Sequence, residues 1–264
     1  MKTSIAKLAL GLTLVSMSGV AMAGISSTKH NLGASGTFNF TNATTEICVF
    51  CHTPHGADSS AAVPLWNRTL STASYNTYAS LGTSTLDSES TAIGSVSLAC
   101  LSCHDGTQAM DVVINSPGSG SSGSVGTGTL TGPNGWEEFN QMSQVSGEMI
   151  YLSTDLRNDH PISIQYAGAL TGVGTQNRGA NDADFTDATS VATNSGTVVY
   201  YIDTNGGGKD KHDLPLYNRV GGSLDTQPLV ECATCHDPHT TNTTFLRHNS
   251  GNNGSATCLS CHVK

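Results

Sequence analysis

Apolar residues in this chain come in short clusters separated by long polar stretches, and few clusters keep a helical or strand period for long. The first cluster, Leu8 to Val15, is too short to span a bilayer. It is preceded by Lys2 and Lys7 and followed by Ala21-Met-Ala23, so residues 1–23 read as a secretory signal cleaved before Gly24. No cysteine stands at the cleavage point to carry a lipid anchor, and no later segment is apolar enough to cross a membrane. Downstream, residues 36–45 read as a polar strand-like stretch, 111–115 as a short strand, and 136–144 as a short helix. Residues 196–203, with Val198, Val199, Tyr200, Tyr201 and Ile202, are the best strand in the chain, turned by 205–208. The tract 116–132 is so rich in Ser and Gly that it should be a loop.

The expected fold class is therefore mostly coil with few short helices and strands. Composition sharpens this. Only 12% of residues are charged while Gly, Ser, Thr and Asn abound, which favours turns over long helices. Side chains look too thinly apolar to build a large core, so something else must fill it. Without Lys2 and Lys7 the chain keeps nine basic against twenty acidic residues, a net charge near −11, and nucleic acid is an improbable partner.

The candidate filler is announced four times. Cys48-Val-Phe-Cys51-His52, Cys100-Leu-Ser-Cys103-His104, Cys232-Ala-Thr-Cys235-His236 and Cys258-Leu-Ser-Cys261-His262 use all eight cysteines. Cys-x-x-Cys-His attaches c-type haem: two thiols form thioethers and the adjoining imidazole is the proximal iron ligand. A disulfide framework or zinc would explain the cysteines but not four following histidines. Four c-type haems are expected, each a broad apolar plate. The first and third motifs extend to Cys-His-x-Pro-His and the second and fourth end plainly, a degenerate repeat of a two-haem unit. Residues 24–264 read as one tetrahaem domain: a first unit over 24–115, an intervening β-rich section over 116–230, and a second unit over 231–264.

The opposite face of each iron decides between electron transfer and chemistry. Six histidines lie outside the motifs, more than four irons need, so an open position is not implied. His55 and His239 follow their proximal histidines too closely to reach the other face of the same iron, and each must serve another. The economical choice gives His55 to the haem of His104 and His239 to that of His262. His160, stiffened by Pro161, and His30, on a short terminal arm, are the next distal candidates. His212, beside Lys209 and Lys211, reads as a surface residue, and His248 is ambiguous. Met110, Met142 and Met149 leave His/Met ligation as a minority arrangement. Two patterns are decoys: Gly118-Ser-Gly120-Ser-Ser-Gly123 has no helix to open, and Asp182, Asp184 and Asp187 lack calcium-loop spacing.

Lys29-His30-Asn-Leu, Cys48 to Gly56, Pro64-Leu-Trp-Asn-Arg68, Asn158-Asp-His-Pro161, Leu214-Pro-Leu-Tyr217, Val230 to His239 and Phe245-Leu-Arg247 together resemble the doubled-CXXCH multihaem cytochromes. The resemblance is nearest to OmcE-type tetrahaem cytochromes, which polymerise into extracellular conductive filaments. It implies a coil fold wrapped round a file of stacked bis-histidine haems. It also implies one distal histidine from the adjacent protomer, for which His30 is the choice. The expected function is extracellular electron transfer without catalysis, by a secreted homopolymer at or beyond the cell surface that meets redox proteins or outside acceptors. A discrete periplasmic or surface carrier is the alternative, and a multihaem reductase a more distant one.

Overall fold

A computed structural model describes residues 24–36, 44–110, 112–116, 123–124, 150–171, 177–219 and 227–263. The signal segment, the helix expected over 136–144 and most of the strand-like stretch over 36–45 lie outside them. Among the described residues the chain is mostly coil, with few short helices and small sheets.

The helices coincide with the cysteine motifs. Helix α1 is Ser95–His104, α2 is the single turn Cys232–Cys235, and α3 is Ala256–Cys261, while the first motif opens on a 3-10 turn, Cys48–Phe50. A helical turn is what a Cys-x-x-Cys spacing needs, because positions i and i+3 share a face. The turns stay short for local reasons. Gly94 enters α1 extended, and Gly106 follows it at φ 70°, a left-handed conformation that costs glycine little. After α2 and α3 the backbone swings out at His236 and His262 into an extended conformation.

Side-chain burial is concentrated around one sheet. Strands β4 (Asn177–Arg178), β5 (Ala188–Ala192), β6 (Val198–Ile202) and β7 (Leu214–Leu216) pair antiparallel in that order. β-prone Val, Tyr and Ile residues build β6, the strand expected over 196–203, and its register sets Tyr200 against Leu216 and Ser190. Tyr166, Ala167, Leu170, Ala188, Ile202 and Leu214 complete the core beneath it, and Cys261 of the fourth motif packs against that core. The turn expected at 205–208 is present. Asp203 Oδ1 accepts the N–H groups of Asn205 and Gly206 at 3.0 and 2.6 Å.

Two minor pairings position the motifs. Strand β3 (Ile164–Gln165) pairs with β8 (Leu229–Val230) and delivers Glu231 to the start of α2. Strand β1 (Val112–Val113) pairs with β2 (Gly123–Ser124). The loop expected over 116–132 is thus interrupted by a strand of two residues, because a strand's backbone hydrogen bonds need no side chain and an apolar-pattern reading passes over them. Phe50, Met110 and Val113 form a small second cluster against Cys51 and Cys103.

Candidate haem-binding sites

Each motif is held by its own backbone clasp. At the first site Asn67 N–H donates to the Cys51 carbonyl at 2.9 Å and Thr53 N–H to the Leu65 carbonyl at 2.8 Å, so the chain after the cysteines lies antiparallel to residues 65–67. The third site repeats this bond for bond. Arg247 N–H reaches the Cys235 carbonyl at 2.8 Å, and Asp237 N–H the Phe245 carbonyl at 2.8 Å. The fourth does so again, with Thr186 N–H on the Cys261 carbonyl at 2.8 Å and Val263 N–H on the Asp184 carbonyl at 2.7 Å. Trp66, Leu246 and Phe185 sit at the centre of the three clasps, opposite His52, His236 and His262. The acidic loop around Asp184 is therefore a clasp, and its carboxylates bond locally: Asp182 Oδ1 accepts from Asp184 N and Asp187 Oδ1 from Ala180 N. The second site uses Leu152 N–H on the His104 carbonyl at 2.9 Å.

The clasps also set the tautomer of the histidines. His52 Nδ1 lies 2.8 Å from the Pro64 carbonyl, His104 Nδ1 2.8 Å from that of Ile150, and His236 Nδ1 2.8 Å from that of Thr244. A carbonyl only accepts, so Nδ1 carries the proton and Nε2 keeps the lone pair that an iron requires. The same test sorts the candidate distal ligands. His160 donates to the Pro161 carbonyl at 2.9 Å and His212 to the Arg247 carbonyl at 3.1 Å, so both present a free Nε2. His212, expected as a surface residue, is half-buried and anchored on the third-site clasp. His248 is in the wrong state: its Nδ1 accepts Ser250 N–H at 3.1 Å, which leaves the proton on Nε2. His239 donates to the Asp237 carboxylate at 3.1 Å.

Two pairs of imidazoles face each other. The ring centroids of His30 and His104 are 6.2 Å apart and those of His52 and His239 are 6.1 Å apart. With metal–nitrogen bonds of about 2 Å, two imidazoles on opposite sides of one iron have centroids roughly 6.3 Å apart. The pairings differ from the economical assignment by sequence proximity. His30, which the resemblance gives to a neighbouring subunit's iron, stacks on Phe245 at 4.2 Å. Burial first, and then the nearby His104, pull its pKa down to about 4, which keeps it neutral as a ligand must be. His55 stays exposed, with no ring partner among the described residues.

No cysteine pairs with another in a disulfide, and those of successive motifs are neighbours. Burial pushes the Cys51 thiol up to about 12, with Cys103 adding to it. The neighbouring Cys232, ahead of burial, holds the Cys100 thiol up. Burial pushes Cys235 up to about 11, with Cys232 and then Cys258 contributing. The attachment points thus follow one another in chain order. Among the described residues no group of three or more His, Cys, Asp or Glu side chains could hold a bare metal ion.

The segment Pro64 to Arg68 joins the first two sites. Asn67, fully buried, donates to the carbonyls of Val49 and Asn115 at 2.6 and 2.9 Å. Arg68, 2% exposed, donates to the carbonyls of Met110, Val112, Ala109 and Ser102 at 2.7, 3.0, 2.8 and 3.2 Å. Two buried donors remain without a partner among the described residues, Trp66 Nε1 and Arg68 Nε. Such orphans are rare. Beside free paired thiols and a proton-directed imidazole they fit a covalently held, anionic porphyrin, whose carboxylates could accept from them.

Residues 228–264 match the doubled CXXCH motif family. No curated protein matches the chain. The match, together with the site chemistry, supports a multihaem c-type cytochrome that transfers electrons as the coarse class of the molecule.

Proposed function

We propose that this protein is a tetrahaem cytochrome that is exported and polymerises head to tail into an extracellular conductive filament. The observation that carries the electron-transfer reading is the pair of imidazole separations, 6.2 Å for His30 with His104 and 6.1 Å for His52 with His239. Two irons closed by histidine on both sides leave no position there for a substrate. A bis-histidine haem supplies a one-electron couple at a fixed place, and the chain's part is to hold successive couples close. Its residues do so through the thiol neighbours in chain order, through the clasps, and through the contact between α1 and α2. The irons of His236 and His262 are left to be closed from three imidazoles, the anchored His160 and His212 and the His55 of a second copy.

Polymerisation rests on the resemblance to OmcE-type cytochromes and on one further observation. His55 is the repeat counterpart of His239, and His239 reaches an iron outside its own motif. His55 is exposed and has no ring partner among the described residues, which supports its doing the same for a second copy. A heterologous contact of this kind propagates into a fibre when its rotation does not close. No helix among the described residues is long and apolar enough to cross a membrane.

The mature protein is expected to exceed its polypeptide mass by four haems and to show a wholly low-spin spectrum. Electron microscopy of secreted material should show filaments, and a reconstruction should place His30 and His239 on irons of their own chain. A discrete monomer with the same spectrum would leave a soluble carrier as the function. A product with the bare polypeptide mass would overturn both readings.

A further inference from the structure

Of the anchored imidazoles, His239 stands apart in what receives its proton. His52, His104, His236, His160 and His212 all donate Nδ1–H to a neutral backbone carbonyl. His239 donates to a carboxylate, Asp237 Oδ1 at 3.1 Å, while its own backbone N–H reaches the same oxygen at 2.9 Å. The other carboxylate oxygen meets Arg247 Nη1 at 3.4 Å. This geometry belongs to one half of the repeat. The equivalent of Asp237 in the first unit is Thr53, whose hydroxyl donates to the His55 carbonyl at 3.0 Å and offers the imidazole no anion.

A carboxylate draws the Nδ1 proton further than a carbonyl does, so it loads more electron density onto Nε2 and makes the ring a stronger donor. A stronger donor favours the oxidised iron, and the reduction potential falls. We propose that Asp237 is a positioning residue that acts through His239, setting the iron shared by His52 and His239 at the lowest potential in the protein. The inference rests on the reading of His239 as an axial ligand. Electrons entering a file tuned in this way fill this site last. The first two-haem unit is then the electron-poor end of each subunit.

The test is a potentiometric titration of the haem-loaded protein, followed optically and by electron paramagnetic resonance, with Asp237→Asn, Asp237→Glu and His239→Ala. Asp237→Asn keeps the shape and removes the charge. It is expected to raise the lowest reduction step, leave the others where they are, and shift one low-spin signal, with Asp237→Glu returning both toward the native values. An unmoved lowest step in Asp237→Asn, while His239→Ala turns one haem high-spin, would overturn the tuning and leave the ligand reading intact. A His239→Ala protein that stays wholly low-spin would overturn the ligand reading and the tuning with it.

Discussion

Arg68→Leu is expected to lose about 4 kcal/mol of stability or more, because four carbonyls, two of them fully buried, lose their donor at once. The guanidinium gathers the carbonyls of Ser102, Ala109, Met110 and Val112 around the second site, while its neighbour Asn67 is bonded into the first-site clasp. Leucine fills the space and satisfies none of them. Each abandoned acceptor costs roughly 1–3 kcal/mol when water cannot reach it, and partial hydration keeps the total below the simple sum. Arg68→Lys retains the charge and three donors and should recover part of the loss, without the planar fork that spans four acceptors. Denaturant melts of the haem-loaded proteins read the difference. A native midpoint for Arg68→Leu would mean that the junction is held by the clasps alone.

Glu231→Ala should be nearly as damaging, at about 3 kcal/mol, since the buried donors of Ser97, Ser163 and the α2 cap lose their acceptor together and a partly exposed Arg219 loses its partner. Glu231 is 2% exposed. Its carboxylate accepts from Ser97 of α1 at 2.5 Å and from Ser163 at 3.0 Å, pairs with Arg219, and forms a capping box with Thr234 at the start of α2. Ser97 in turn accepts Cys232 N–H at 3.0 Å. One carboxylate therefore ties the second motif to the third. Losing it should lower the melting temperature and also slow electron exchange between those two haems, measurable by rapid partial reduction. Glu231→Gln, which keeps an acceptor and loses the charge, should fall between. Equal loss in both variants would indicate that the ion pair, and not the cap, carries the effect.

The sequence announced the haem attachment plainly because covalent chemistry demands particular residue types at particular spacings. Strand β6 and the turn after Asp203 were legible for a similar reason, since β-branched runs and Asp/Asn/Gly turns are local. The clasps were not. Pro64-Leu-Trp-Asn, Thr244-Phe-Leu-Arg and Ala183-Asp-Phe-Thr share a bulky apolar residue opposite the proximal histidine and little else, because their bonds run backbone to backbone and constrain no side chain. Facing pairs of histidines escaped for another reason. His52 and His239 are brought together only by the tertiary fold, so reasoning from proximity in sequence sent His239 to the haem of His262 and His55 to that of His104. His212 looked like one more polar surface residue until the carbonyl of Arg247 fixed its ring.

The contact between Cys100 and Cys232 places a constraint on how the molecule is made. These two thiols belong to different motifs, yet they lie close enough for each to shift the other, Cys100 upward and Cys232 downward. Two thiols this near each other can close a disulfide wherever an oxidant is present. That single bond would block two attachment points together, and haem would then be refused at both. Chain released without haem into an oxidising compartment should therefore lose two hydrogens in mass and resist later loading until a reductant is supplied. Assembly is a race, and the fold itself starts the clock.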